Sequence, residues 1–140
     1  MGAKKTSTAD LTVLERLRSS GLRPTRQRMA LAKLLFAQGD RHVTAEGLFN
    51  EAKEHRVDVS LATVYNALHD FTEKSLLREI SIDSSRSYFD TNVGDHYHFY
   101  FERSGKLQDI PAEQIAITIL PQAPDGAEVA RVDVIIRVKD

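Results

Sequence analysis

Cysteine and tryptophan are both absent from the 140 residues, which removes disulfides, thiolate zinc sites and thiol nucleophiles at once. Any bound metal must therefore use nitrogen and oxygen ligands. No run approaches the about 18 consecutive apolar residues of a membrane helix, and the start, Met1 to Asp10, is polar and lacks the apolar centre of a signal peptide. The expected location is the cytoplasm, with no membrane partner. A hydrophobic fraction of 41% is ordinary for a globular chain, and the length suits one domain or two small ones.

Net charge is also nearly absent, at -1, but the balance is uneven. Residues 1–41 carry nine Lys/Arg against three Asp/Glu, and residues 42–140 carry ten against seventeen. A basic end on a neutral protein suits a polyanion, because each phosphate neutralised releases condensed counterions. A merely solvated surface has the same composition.

The first 78 residues read as helices. Asp10 is expected to cap a helix running to about Ser20, with Gly21 as its stop and Pro24 allowing a new start. Leu31, Leu34 and Leu35 give a buried stripe from Thr25 to Gln38. Thr44 caps a third helix with Ala45, Leu48, Phe49 and Ala52 on one face, and Ser60 caps a fourth whose buried set is Leu61, Val64, Tyr65 and Leu68. The period then becomes two: Arg78 to Ile82 and Arg86 to Asp90 flank Asp83-Ser84-Ser85 as a hairpin. Three helices and a hairpin form a winged-helix order, here preceded by the first helix.

Thr91 to Asp95 is a turn-rich joint. Beyond it, His96, His98 and Tyr100 alternate with Tyr97, Phe99 and Phe101 on a strand. Gly105 turns the chain into a second strand, Lys106 to Ile110, and Pro111 is expected to open a short helix through about Ile119. Val132 to Val138 reads as the last strand. So small a core is marginal alone, which points to pairing with a second copy. The predicted class is α+β: a winged-helix DNA-binding domain over 1–90, a hinge over 91–95 and a small α/β dimerisation domain over 96–140.

A recognition helix presents short polar side chains from its first turns to the major groove. Thr63 and Asn66 lie one turn apart on the outward face of the fourth helix, where Asn can meet adenine and Thr a thymine methyl or phosphate. Exposed polar residues are also the commonest feature of any helix surface. Tyr65 falls on the apolar stripe by spacing, yet its hydroxyl could reach the phosphate backbone. Arg23, Arg26 and Arg28 stand at a helix start, where the helix dipole disfavours cations, so phosphate is the economical partner. His96 and His98, at i and i+2 on one strand face, can hold a metal together, although such histidines are more often merely exposed.

The strings Gly21-Leu22-Arg23-Pro24-Thr25-Arg26-Gln27-Arg28, His42-Val43-Thr44-Ala45-Glu46-Gly47-Leu48 and Ser60-Leu61-Ala62-Thr63-Val64-Tyr65-Asn66-Ala67-Leu68, followed by His96-Tyr97-His98, resemble the ferric uptake regulator family in order and spacing. The resemblance implies a dimeric repressor that binds double-stranded operator DNA through Arg23, Thr25, Arg26, Arg28, Ser60, Thr63, Tyr65 and Asn66. It also implies a regulatory metal, Fe(II), Mn(II) or Zn(II), held by His42, Asp90, His96 and His98, with Asp90 where most members have Glu. Most members carry Arg where this chain has Asn66, and many carry two Cys-x-x-Cys pairs, the first of which would fall at Phe101 and Ser104. No cysteine-type structural zinc is therefore expected. Both departures resemble the iron response regulator branch, which implies haem as a further ligand. His55 and His69 match no ligand position and are read as surface residues.

Three rival readings share these residues. A peroxide sensor of the same family would oxidise its own His ligands. A small metal-dependent enzyme would need a general base and a substrate pocket that the sequence does not supply. A winged-helix protein-interaction module would bind no duplex.

Overall fold

Side-chain caps set the helix starts in the N-terminal half, as seen in a computed structural model that describes residues 8–140; of the polar start, residues 1–7 lie outside the described residues. The chain divides into two compact units, one ending at Val93 and one beginning at Gly94.

In the first unit, α1 (Thr8–Ser19), α2 (Arg26–Phe36), α3 (Ala45–Glu54) and α4 (Leu61–Glu73) are joined by β1 (His42–Val43), β2 (Arg78–Ser81) and β3 (Ser87–Asp90). Asp10 is not the cap of α1: the helix already begins at Thr8, and Asp10 sits in its first turn, paired with Lys33 at 2.6 Å. The next three caps are side-chain oxygens accepting from the third backbone N–H along: Thr25 from Arg28, Thr44 from Gly47 and Ser60 from Thr63. Helix α1 ends with Leu22 N–H on the Leu17 carbonyl and Gly21 N–H on that of Arg18, which needs the left-handed φ of 85° that Gly21 supplies.

Leu17, Leu31, Leu35, Leu48, Leu68 and Phe71 are fully buried in one core that Phe89 of β3 also enters. Each such side chain stabilises the fold by about 1.5–3 kcal/mol. On α4 the stripe differs from the expected one. Ala67 and Phe71 are buried, whereas Tyr65 is 37% exposed, because it turns to the rim. Strand β1 was not expected. It completes an antiparallel sheet of order β1-β3-β2, in register His42 with Asp90.

The second unit is a three-stranded sheet of order β5-β4-β6, from β4 (His96–Phe101), β5 (Leu107–Pro111) and β6 (Ile135–Val138). Strands β4 and β5 are antiparallel and β4 and β6 parallel. The alternation along β4 places His96, His98 and Tyr100 on the buried face. The helix expected from Pro111 to Ile119 does not form; a single 3-10 turn, Ala112–Gln114, is followed by extended backbone at Ile115. The physical reason is the run Ile115-Ala116-Ile117-Thr118-Ile119, four of whose five residues are β-branched and whose isoleucines recur with period two. No described helix is long and apolar enough to cross a membrane.

Candidate metal centre and nucleic-acid interface

Each unit assembles a cluster of metal-ligating side chains from its own sheet. In the first, the β1/β3 register sets His42 beside Asp90, with Nε2 3.1 Å from Oδ2. The Asp90 carboxylate is fully buried, and its other oxygen accepts from the Asn92 backbone N–H at 2.9 Å. Arg41 braces this pair. Its guanidinium meets both Glu51 carboxylate oxygens at 2.8 and 2.7 Å and donates to the Leu34 carbonyl at 2.8 Å, while its backbone N–H donates to Thr91 Oγ1 at 2.8 Å. The residues flanking His42 and Asp90 are thereby tied to α2 and α3. The same hydrogen bonds hold Glu51 below the usual carboxylate range, against the opposing effect of burial.

In the second unit, the His96 and His98 rings lie 4.6 Å apart, and both Nε2 atoms converge on one oxygen of Asp109, at 3.2 and 3.3 Å. Asp109 is opposite His98 in the β4/β5 register. It was not anticipated, although counting the hairpin outward from Gly105 would have put an acid there. His96 Nδ1 lies 2.7 Å from the Gly94 carbonyl, a group that can only accept, so Nδ1 carries the proton. In the neutral ring, the Nε2 lone pair then faces a carboxylate oxygen, and that arrangement is favourable only with a cation or a second proton between them. The donor set, neutral imidazole and carboxylate, fits a divalent transition metal.

The residues predicted to meet DNA separate into groups. Arg23, Thr25, Arg28, Thr63 and Asn66 share one open groove of about 450 Å³ between the start of α2 and the face of α4, together with Asp70. Arg26 lines a different hollow beside Arg56 and Asp58. Ser60 is occupied as a cap, and its hydroxyl also meets Thr63 Oγ1 at 2.9 Å. Tyr65 opens onto a third hollow against the β2/β3 hairpin, its hydroxyl donating to Glu46 Oε1 at 2.6 Å, which lowers the pKa of Glu46 and raises that of Tyr65. His55 and His69 are exposed, with His69 edge-on to Phe89 at 6.0 Å.

A winged-helix unit is thus followed by a small unit built on a three-stranded sheet, and each brings His and Asp side chains together. The sequence profile of the ferric uptake regulator family matches residues 19–136, and the chain belongs to that family, whose members are transcriptional regulators and not enzymes. The peroxide-responsive repressor of Staphylococcus aureus is 33% identical over 99 residues, a match covering 71% of this chain and 66% of that protein, just under two thirds of its length. Among solved structures, the ferric uptake regulator of Pseudomonas aeruginosa with manganese superposes with a TM-score of 0.68 at 23% identity, over 91% of this chain and 96% of that one. That of Francisella tularensis with iron gives 0.69 at 21% identity, over 86% and 92%. These likenesses speak to the fold.

Proposed function

We propose that the protein is a cytoplasmic, homodimeric transcriptional repressor whose binding to double-stranded DNA responds to one divalent ion held jointly by His42 and Asp90 of the first unit and by His96 and His98 of the second, with Asp109 as a further ligand. The observation that carries the reading is the pair of buried imidazoles whose Nε2 atoms converge on a single carboxylate oxygen. A bound ion supplies the positive charge that the His96 Nε2 lone pair facing a carboxylate calls for. An ion shared by ligands from both sides of the 91–95 hinge favours whichever arrangement lets all of them reach it, and so shifts the population that fits an operator. The α2/α4 groove is the DNA-reading surface, with Thr63 and Asn66 toward the bases, Arg23 as a phosphate contact within it and Arg26 as one outside it. The exposed apolar residues after Ile115 support the dimer. Ile119 is 85% exposed and Leu120 56%, a cost that a second copy would relieve.

The named relative's response to peroxide favours a second reading, in which the ion is Fe(II) and the ligating histidines are its oxidation targets. Haem, suggested by the resemblance to the iron response regulator branch, is a third ligand to compare. The deciding experiment is DNA binding by metal-free protein to promoter duplexes, with Mn(II), Fe(II) plus peroxide, Zn(II) or haem added separately, repeated with His96→Ala/His98→Ala. Binding that follows one ligand in the native protein and ignores it in the variant supports the switch. A gain in mass on His42 or His96 after peroxide marks the sensor reading. If no duplex binds under any condition, the regulator reading fails and an interaction module takes its place.

A further inference from the structure

The groove between α2 and α4 contains an acid that a phosphate-binding surface does not require. Asp70 lies on α4 one turn beyond Asn66 and lines the same groove as Arg23, Thr25, Arg28 and Thr63. Its Oδ2 accepts from Arg28 Nη2 at 3.0 Å, and Arg28 Nη1 donates to the Arg23 carbonyl at 3.1 Å. Arg28 is thereby anchored at both ends of its guanidinium, with 26% of the side chain exposed against 40% for Asp70. Arg23 and Arg26 differ: both are exposed, and among the described residues no ion pair engages either. The groove therefore presents one available cation, Arg23, and one, Arg28, that is already neutralised by a carboxylate of its own surface, while Arg26 stays available in a separate hollow.

We propose that Asp70 is a specificity-determining residue, which withholds the Arg28 guanidinium from non-specific phosphates so that tight binding depends on what Thr63 and Asn66 meet. The inference rests on the DNA-binding reading above. An open cation gains affinity for any duplex through counterion release, without regard to sequence. A cation held by a fixed carboxylate gains nothing from a phosphate until that pair is broken, and the carboxylate repels a phosphate that approaches it. Base edges are not repelled in this way, since Asp can accept from the amino group of cytosine. Asp70 thus weakens non-specific binding more than specific binding, and discrimination is the difference of the two.

The test uses the full chain with Mn(II) bound and a labelled duplex of randomised sequence, its affinity followed by anisotropy from about 50 to 200 mM salt. Asp70→Asn should bind more tightly and steepen the slope of log affinity against log salt by about 0.9, the value for one added phosphate contact. Arg28→Gln alone should leave the slope unchanged, and the double variant should return it to the native value. A simple structural cross-link would alter melting but not the slope, and Asp70→Ser checks that Asn has no special effect. A flatter slope in Arg28→Gln alone would show that Arg28 already meets phosphate and would overturn the proposal, as would a native slope in Asp70→Asn. If the native protein binds no duplex at all, the whole interface reading falls; if it binds and Asp70→Asn does not differ, only the role of Asp70 falls.

Discussion

The residue scale is clearest at Arg41, which no motif singles out. It stands next to His42, and its backbone carbonyl accepts from the Thr91 N–H at 3.1 Å, one position beyond Asp90. His42 and Asp90 thus inherit their placement from one two-pronged ion pair of Arg41 with Glu51, only about a quarter exposed on either side. Glu51 titrates below its ordinary 4.5 chiefly because it accepts from Arg41. Its folded value lies below its unfolded one, so the contribution is complete above the unfolded pKa and is lost as pH falls through the folded value. Glu51→Gln should therefore cost about 1 kcal/mol in urea unfolding near neutrality, with the gap from the native protein closing as pH drops below about 4.5. A gap that stays constant down to pH 3 would show that the guanidinium pair contributes nothing.

At the scale of elements, helix ends show where strain is tolerated. Helices α3 and α4 both close with the double hydrogen bond seen after α1, but with Arg56 and Ser75 in the left-handed position, at φ 57° and 61°, where α1 has glycine. Ser75→Gly should stabilise the first unit by about 0.5–1 kcal/mol, since glycine adopts this conformation without the steric cost; an unchanged or lowered midpoint in chemical unfolding would contradict this. The same elements mark how far the sequence was legible. Thr44 and Ser60 announced α3 and α4 because a capping hydroxyl and an apolar stripe agree there. Strand β1 was invisible, because two residues have no period, and its register with Asp90 came only from the tertiary fold. Tyr65 stayed equivocal because helical spacing fixes a side but not the edge of the packed face, and it turns to the rim. Asp109 was legible only through the cross-strand register of β4 and β5, and Asp70 is partnered by an arginine 42 positions earlier, a pairing that no local pattern reveals.

For the whole molecule, the decisive matter is whether one ion is shared by the two units or each cluster acts alone. Linkage separates these cases, because a ligand that binds only the folded state stabilises it by about 2.7 kcal/mol at a hundredfold excess over its Kd. For a chain of this size that corresponds to a rise in melting temperature of roughly 6–10 °C. Sharing predicts that His42→Ala and His98→Ala, though they lie in different units, each abolish most of the rise that Mn(II) produces in the native protein, and that the double variant loses little more. Comparing each variant with and without metal cancels any change in its own stability. Independent clusters predict the opposite: His42→Ala would keep the rise in the second unit, where His96, His98 and Asp109 suffice. The two losses would then add, as they do for sites that do not interact. Non-additivity between residues 56 positions apart in sequence would therefore support the proposed coupling of metal binding to DNA binding.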